Sequence, residues 1–296
     1  NFTTIPHQKR VIGEKTIYVF SGKDENMDPE TVQSFGDEWL QFNKFSDEEI
    51  RVVGSQYFDI VPESIYAGKY VLDVGCGTGR WSKFLNNKAN AIEAIDPSEA
   101  VVSAASLLQN NDNVRISQAS AGDIPFPDNT FDFALSLGVL HHIPDTQRAM
   151  QKCVAKLKPG GHFLVYLYYS FDNRGVFYKS LFHLSSLVRH VVSSFPSPLK
   201  RFVCDLLAFS LYLPFIAIGK TVDMMGFGEW TKYIPLSYYM GKSMNIIRND
   251  ARDRFGTPLE KRFSRDEIYQ MMSDCGLTDI VFSEKMPCWH ALGKKQ

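Results

Sequence analysis

The sequence has 296 residues, 44% of them hydrophobic and 22% charged, which are globular values and exclude a disordered or collagen-like chain. Lys and Arg number 32 against 33 Asp and Glu, and the resulting net charge of -1 argues against a general nucleic-acid binder, which carries a basic excess. The length fits two domains, or one domain with a large insertion. Five cysteines (Cys76, Cys153, Cys204, Cys275 and Cys288) form no C-x-x-C pair. No disulfide framework and no metal site is therefore expected, and reduced, buried thiols in a cytoplasmic protein are. No secretory apolar segment opens the sequence, and the absence of an apolar run of about 18 residues predicts no ordinary transmembrane helix.

Residues 1–65 read as a polar and aromatic N-terminal extension. Phe35, Trp39 and Phe42 recur at helical spacing and predict a helix over Thr31–Phe42. That helix is either a lid over a ligand, with Trp39 among the substrate contacts, or an ordinary amphipathic helix on a sheet edge. Ser46 and Glu49 have capping-box spacing and predict a second helix.

Residues 66–169 alternate strand and helix patterns. Strands are predicted at Tyr70–Val74, Ala91–Ile95, Val114–Gln118, Phe131–Leu137 and His162–Tyr168. Asp145–Leu157 carries one apolar face, with Pro159-Gly160-Gly161 as its stop. Such alternation implies a parallel sheet with right-handed crossovers. Residues 170–256 break the rhythm, with apolar helical stretches at Val176–Val192 and Phe202–Ile218. Over 257–296 regularity returns. A capping box at Ser264–Glu267 opens a helix that Cys275-Gly276 ends, and strands Asp279–Ser283 and Trp289–Leu292 follow, joined through Pro287.

The densest chemical signal is Asp73-Val74-Gly75-Cys76-Gly77-Thr78-Gly79-Arg80, an apolar strand running into three alternate glycines and then a helix. Glycines there allow a sharp turn and a close ligand approach. A dinucleotide loop needs G-x-G-x-x-G, and Arg80 occupies the sixth position; a phosphate-binding P-loop is absent. Asp96 ends the next strand, where a carboxylate can accept hydrogen bonds from ribose hydroxyls. Loop and acid together point to an adenosine-type ligand without requiring phosphates.

Taken with Ile95-Asp96-Pro97-Ser98, Asp123–Asp132, Leu137–Pro144 and Leu157–Gly161, these motifs resemble, in order, the class I S-adenosylmethionine-dependent methyltransferases of the small-molecule and quinone-biosynthesis branch. The resemblance spans about 69–169 and, more loosely, 257–296. With the strand pattern it implies an α/β, Rossmann-like doubly wound, mostly parallel seven-stranded sheet with helices on both faces. A mainly helical insertion after the fifth strand and an N-terminal helical extension are added to it. The resemblance also implies roles. Asp73, Gly75, Gly77 and Gly79 hold the methionine part of the cofactor and Arg80 helps with its carboxylate. Asp96 takes the ribose, Pro97 borders the adenine, and the Leu137 carbonyl region takes the amino group. Ser120, followed by Ala121, stands where this branch has an acidic residue against the adenine amine, with Asp123 as a substitute by a shifted register. S-adenosylhomocysteine is the implied product.

Methyl transfer from a sulfonium needs alignment and a lone pair on the acceptor, and a hydroxyl acceptor also needs a base. His142, His141 and Tyr168 are the candidates, with His142 preferred; the alternative is that the histidines only cap the next helix or pack on the cofactor. Tyr169 is expected beside the reacting methyl. The insertion 170–256 is the candidate specificity element, with Tyr233, Tyr239, Arg248, Arg252 and Arg254 lining the acceptor pocket. Arg248 and Arg252, four apart, suit a carboxylate or phosphate, or else form salt bridges with Asp250, Asp253 or Glu260. The uncharged stretch Leu206–Ile218 reads as a buried helix broken at Pro214, a dimer surface, or a membrane-touching segment. The expected activity is methylation of a small, anionic molecule on oxygen. The alternatives are a lipid or quinone acceptor at a membrane surface and a non-catalytic partner protein that keeps the fold. Neither a nucleic-acid partner nor an RNA substrate is expected, and a homodimer stays open.

Overall fold

A computed structural model describes residues 1–20, 24–42, 45–170, 176–285 and 289–296; Pro287 and Cys288 lie outside the described residues. The chain forms two compact units, Asn1–Asn173 with Leu259–Gln296, and Arg174–Pro258.

In the first unit the strands are β1 (Gln8–Ile12), β2 (Lys15–Val19), β3 (Tyr70–Val74), β4 (Ala91–Asp96), β5 (Val114–Gln118), β6 (Phe131–Leu137), β7 (Leu157–Tyr166), β8 (Leu277–Phe282) and β9 (Ala291–Lys295). They make one sheet in the order β1-β2-β5-β4-β3-β6-β7-β9-β8. The run from β2 to β7 is parallel, and β1 and β9 pair antiparallel to their neighbours. Its helices are α1 (Pro29–Gln41), α2 (Asp47–Tyr57), α3 (Arg80–Leu85), α4 (Ala100–Leu107) and α5 (Thr146–Ala155). Successive strand residues serve opposite faces, as the pleat requires. Val71 packs with Trp81 and Leu85 of α3 and Val101 and Ala104 of α4, whereas Leu72 packs with Met150 and Cys153 of α5. Helices therefore cover both faces. After β5 the chain returns to place β6 on the other side of β3, so the topological switch point, where such sheets bind ligands, lies at the carboxyl ends of β3 and β6.

The seven-stranded sheet expected from the sequence is extended by β1 and β2. This hairpin turns at Gly13-Glu14, with Gly13 at φ +58°, and adds β2 beside β5 through Ile17–Val19. The N-terminal extension is thus not only helical. β7 begins at Leu157 and ends at Tyr166, earlier than expected at both ends, because Leu157 already pairs with Phe131 before a register shift absorbs Pro159–Gly161. α5 accordingly stops at its C-cap Lys156, before the proline. β9 lies at Ala291–Lys295, shifted from the expected Trp289–Leu292.

The second unit is helical: α6 (Val176–Ser193), α7 (Ser197–Leu207), α8 (Leu213–Met224) and α9 (Met244–Gly256). Cys204, Ala208, Tyr212 and Ile216 recur every four residues and pack against Ile247, Ala251 and Phe255 of α9, which also recur every four. The break expected at Pro214 does not occur. A proline ring clashes with the carbonyl four residues back and offers no N–H. Here a π-helical turn, Ala208–Tyr212, widens the coil just before it, so α7 and α8 run on as one helix, Ser197–Met224. That 28-residue helix is long and apolar enough, by length and composition, to cross a membrane, which corrects the expectation that no such segment exists. Helix α10 (Arg265–Asp274) then returns the chain to the sheet unit, opened by the Ser264–Glu267 capping box.

Candidate active site

The loop after β3 is held from behind by the sheet. The N–H groups of Gly75 and Cys76 both donate to the Ile95 carbonyl (2.8 and 2.9 Å), and Gly77 N–H donates to Asp96 Oδ2 (2.9 Å). Gly75 has φ +75°, and a Cβ there would lie 2.4 Å from the Val139 side chain. Gly79, at φ +81°, would meet Leu108 at 2.7 Å. Each glycine is thus required by conformation and by contact together.

Two buried carboxylates flank this loop. Asp73 is 1% exposed; Ser82 Oγ donates to its Oδ2 (2.7 Å), and its Oδ1 has no hydrogen-bond partner among the described residues. Burial pushes its carboxyl up to about 7, the Asp96 charge adding to the effect and the Ser82 hydrogen bond opposing it. Asp96 is also raised by burial, opposed by hydrogen bonds from Ser98 and Gly77. Its Oδ1 accepts from Ser98 N–H (2.9 Å) and Oγ (2.6 Å), so three of a carboxylate's roughly four acceptor positions are filled. A buried acid with an unfilled oxygen, next to a second acid, suits a ligand that brings both a donor and positive charge. S-adenosylmethionine, with hydroxyls, an ammonium and a sulfonium, fits that demand. The Arg80 guanidinium lies against the Trp81 ring (4.6 Å) and the Trp39 ring (5.2 Å), beside the same loop.

At the end of β6, Gly138 (φ +80°) opens a turn carrying His141 and His142. His141 is fully buried, neither ring nitrogen has a hydrogen-bond partner among the described residues, and its ring lies between His142 (4.0 Å) and Tyr168 (3.9 Å). Burial drives its pKa well down, helped by His142 and Arg262, so it is a neutral imidazole. The Nδ1 of His142 lies 2.7 Å from the Leu259 carbonyl. A carbonyl only accepts, so Nδ1 carries the proton and the neutral ring keeps its lone pair on Nε2. The geometry therefore separates the two histidines: His142 is held in a base-competent tautomer, and His141 is a packed ring. Tyr168 stacks on His141 and under the Arg262 guanidinium (5.2 Å), while the buried Tyr169 bridges to Phe263.

Helix α1 roofs these parts. Thr31, Phe35 and Trp39, four residues apart, share one face. Thr31 Oγ1 accepts from Leu259 N–H (3.3 Å), and the Phe35 ring lies 4.7 Å from His142. Trp39 faces Gly77, whose added Cβ would meet its indole at 3.6 Å, and a Cβ on Gly36 would meet the Glu99 backbone at 3.3 Å. The helix thus reaches from the histidine turn to the glycine loop.

Ser120 accepts from Asp123 N–H at its Oγ (3.2 Å); Ala121 and Leu137 are buried, Pro97 is half-buried and Asp123 is exposed. An acid does stand at this turn, but it is Asp24 from the extension, whose Oδ2 accepts from Gly122 N–H (3.2 Å). Sequence reasoning missed Asp24 and the Leu259 carbonyl. Both act across more than ninety residues of chain, and no local pattern reports such a contact.

In the helical unit Arg248 and Arg252 both bind Asp205 (2.7 and 3.3 Å), and Arg254 binds Asp250 (3.3 Å). Tyr212 and Tyr239 also donate to Asp250. Tyr239 and the three arginines thus bind acids of their own unit: Arg254 takes the expected Asp250, whereas Arg248 and Arg252 take Asp205, which the sequence did not single out. Tyr233 is 60% exposed.

A glycine turn with two buried acids at the switch point defines a nucleoside-binding, doubly wound α/β protein. Residues 72–165 match the family described as methyltransferase domain. The chain is 29% identical over 158 residues to a ubiquinone biosynthesis O-methyltransferase of Coxiella burnetii (strain Dugway 5J108-111), covering 51% of this chain and 65% of that protein. It is 37% identical over 101 residues to the Azotobacter vinelandii (strain DJ / ATCC BAA-1303) enzyme of the same description, covering 32% and 42%. The matched region thus spans less than two thirds of either relative. A solved structure of Haemonchus contortus phosphoethanolamine N-methyltransferase 1, holding phosphoethanolamine and S-adenosylhomocysteine, is 15% identical at TM-score 0.40, covering 48% of this chain and 33% of that one. Residues 72–165 thus form a methyltransferase domain of the class I, S-adenosylmethionine-dependent kind.

Proposed function

We propose that the protein methylates a hydroxyl oxygen of a small molecule, with S-adenosylmethionine as donor and His142 as base. The observation that carries this reading is the 2.7 Å contact of His142 Nδ1 with the Leu259 carbonyl, which leaves Nε2 as the acceptor of a proton. An amine acceptor has its own lone pair and needs no such group. The described O-methyltransferase relatives support oxygen.

When bound, S-adenosylmethionine supplies an electrophilic methyl for in-line displacement by an acceptor lone pair. Asp96 takes a ribose hydroxyl on the acceptor position it has left. Asp73 Oδ1 takes a donor from the amino-acid end, with Arg80 near its carboxylate and the Leu137 carbonyl near its amine. Pro97, Ser120 and Ala121 border the base. His142 Nε2 would take the acceptor hydroxyl's proton, and Tyr168, Tyr169 and Phe35 would wall out water. The buried free thiols of Cys76, Cys153 and Cys204 support a reducing, cytoplasmic setting.

The test offers methyl-labelled donor to matched hydroxyl and amine acceptors on one aromatic scaffold. Label is expected on oxygen, and His142→Ala lowers kcat about a hundredfold or more with cofactor Kd unchanged. Label on nitrogen alone, or wild-type turnover in His142→Ala, contradicts the proposal.

A further inference from the structure

A water-soluble helix turns its apolar stripe inward and its polar residues outward. The helix Ser197–Met224 does otherwise. Its inner face packs on α9 through Cys204, Ala208, Tyr212 and Ile216. Its outer face is also apolar: Leu199, Phe202, Leu206, Phe209 and Ile218 are 47–67% exposed. From Phe202 to Gly219 the only charged residue is Asp205, and it is turned to Arg248 and Arg252 of α9. Of the twenty large apolar side chains exposed among the described residues, fourteen lie in Arg174–Pro258.

Charge separates the possible occupants of that face. Residues 174–258 hold 11 Lys and Arg against 5 Asp and Glu, a net +6, so the other residues carry -7 of the chain's -1. A second copy of the unit brings the same positive sign, whereas an anionic lipid surface brings the opposite one. Lys200 and Arg201 precede the apolar stretch and Lys220 follows it, and Trp230, 65% exposed, lies just beyond the helix. Basic ends around an apolar face, with a nearby indole, match the chemistry of a headgroup boundary.

We propose that this unit docks on an anionic phospholipid surface, with the helix Ser197–Met224 lying in the plane of the interface and its outer face in the acyl boundary. The helix does not cross the bilayer. Crossing carries Asp205 into hydrocarbon, either with its arginine partners or stripped of them, which is costly. This docking is independent of methyl transfer.

The test is flotation of the whole chain with phosphatidylcholine vesicles, with and without phosphatidylserine, alongside sedimentation equilibrium. The protein is expected to float with phosphatidylserine vesicles, to be released by high salt, and to remain monomeric without vesicles. A Phe202→Ser, Leu206→Ser, Phe209→Ser variant loses about tenfold or more in partitioning with its melting temperature kept, because those side chains are already in water. Arg201→Glu with Lys220→Glu weakens binding to phosphatidylserine vesicles while leaving the apolar face intact. No flotation with either vesicle, or a dimer that the triple variant dissociates, overturns the proposal.

Discussion

In the sheet unit, Asp73 is buried with one carboxylate oxygen unfilled, and Asp96 beside it keeps one acceptor position. In the helical unit two acids are saturated: Asp205 by two arginines, Asp250 by two tyrosines and an arginine. The helical unit instead leaves apolar surface unsatisfied, along the outer face of α7 and α8. Both kinds of unmet demand cost free energy in the isolated chain, and each names its partner by chemistry. Unfilled buried carboxylates call for a donor-rich cation. An exposed apolar face with basic ends calls for an anionic, apolar boundary.

The largest expected break in this contrast is Gly75→Ala. Its Cβ falls 2.4 Å from Val139 at φ +75°, so the variant loses about 3 kcal/mol of stability in denaturant melts and cofactor binding with it. A wild-type melt contradicts the loop's close packing. Asp96→Ala comes next. Removing the acceptor of Gly77, Ser98 and the ribose weakens cofactor affinity about tenfold to a hundredfold by calorimetry, and unchanged affinity contradicts the assignment.

Asp73 sharpens the comparison through pH. Its folded carboxyl titrates at about 7, above the ordinary 3.8, so it is largely protonated at pH 6 and largely ionised at pH 8. Cofactor affinity, which needs the carboxylate, is expected to rise with pH across that window and to stay flat in Asp73→Asn. The linkage to stability has the opposite sign. The folded state binds the proton more tightly than the unfolded chain, so the ligand-free protein loses stability from Asp73 as pH rises from about 4 to about 7. The smallest effect is expected from Arg248→Ala. That pair is about a quarter exposed and Arg252 still holds Asp205, so stability falls by about 1 kcal/mol or less, and KM for the acceptor does not change. A sharp rise in KM returns Arg248 to the acceptor pocket.

What could be read from the sequence follows from the range of the interactions. Strands β3, β5 and β6 fall at their expected bounds, because an apolar run between turn residues is a local signal. The capping boxes at Ser46 and Ser264 form as their spacing implies. The hairpin β1–β2 was less visible: Gln8–Ile12 is rich in polar side chains and sits on an edge, with Gly13-Glu14 as its only turn signal. Pro214 misled because a π turn can absorb a proline that an α-helix cannot. In the site, the glycines and Asp96 were visible as a motif. The Leu259 carbonyl that separates His142 from His141 was not, since a backbone acceptor 117 residues away carries no residue type to notice.

Titration calorimetry of the wild-type chain with S-adenosylmethionine tests the central claim most directly. Saturable one-to-one binding that tightens between pH 6 and pH 8 is expected from Asp73 in β3 and Asp96 at the end of β4. Absence of binding at millimolar cofactor across that pH range contradicts the account.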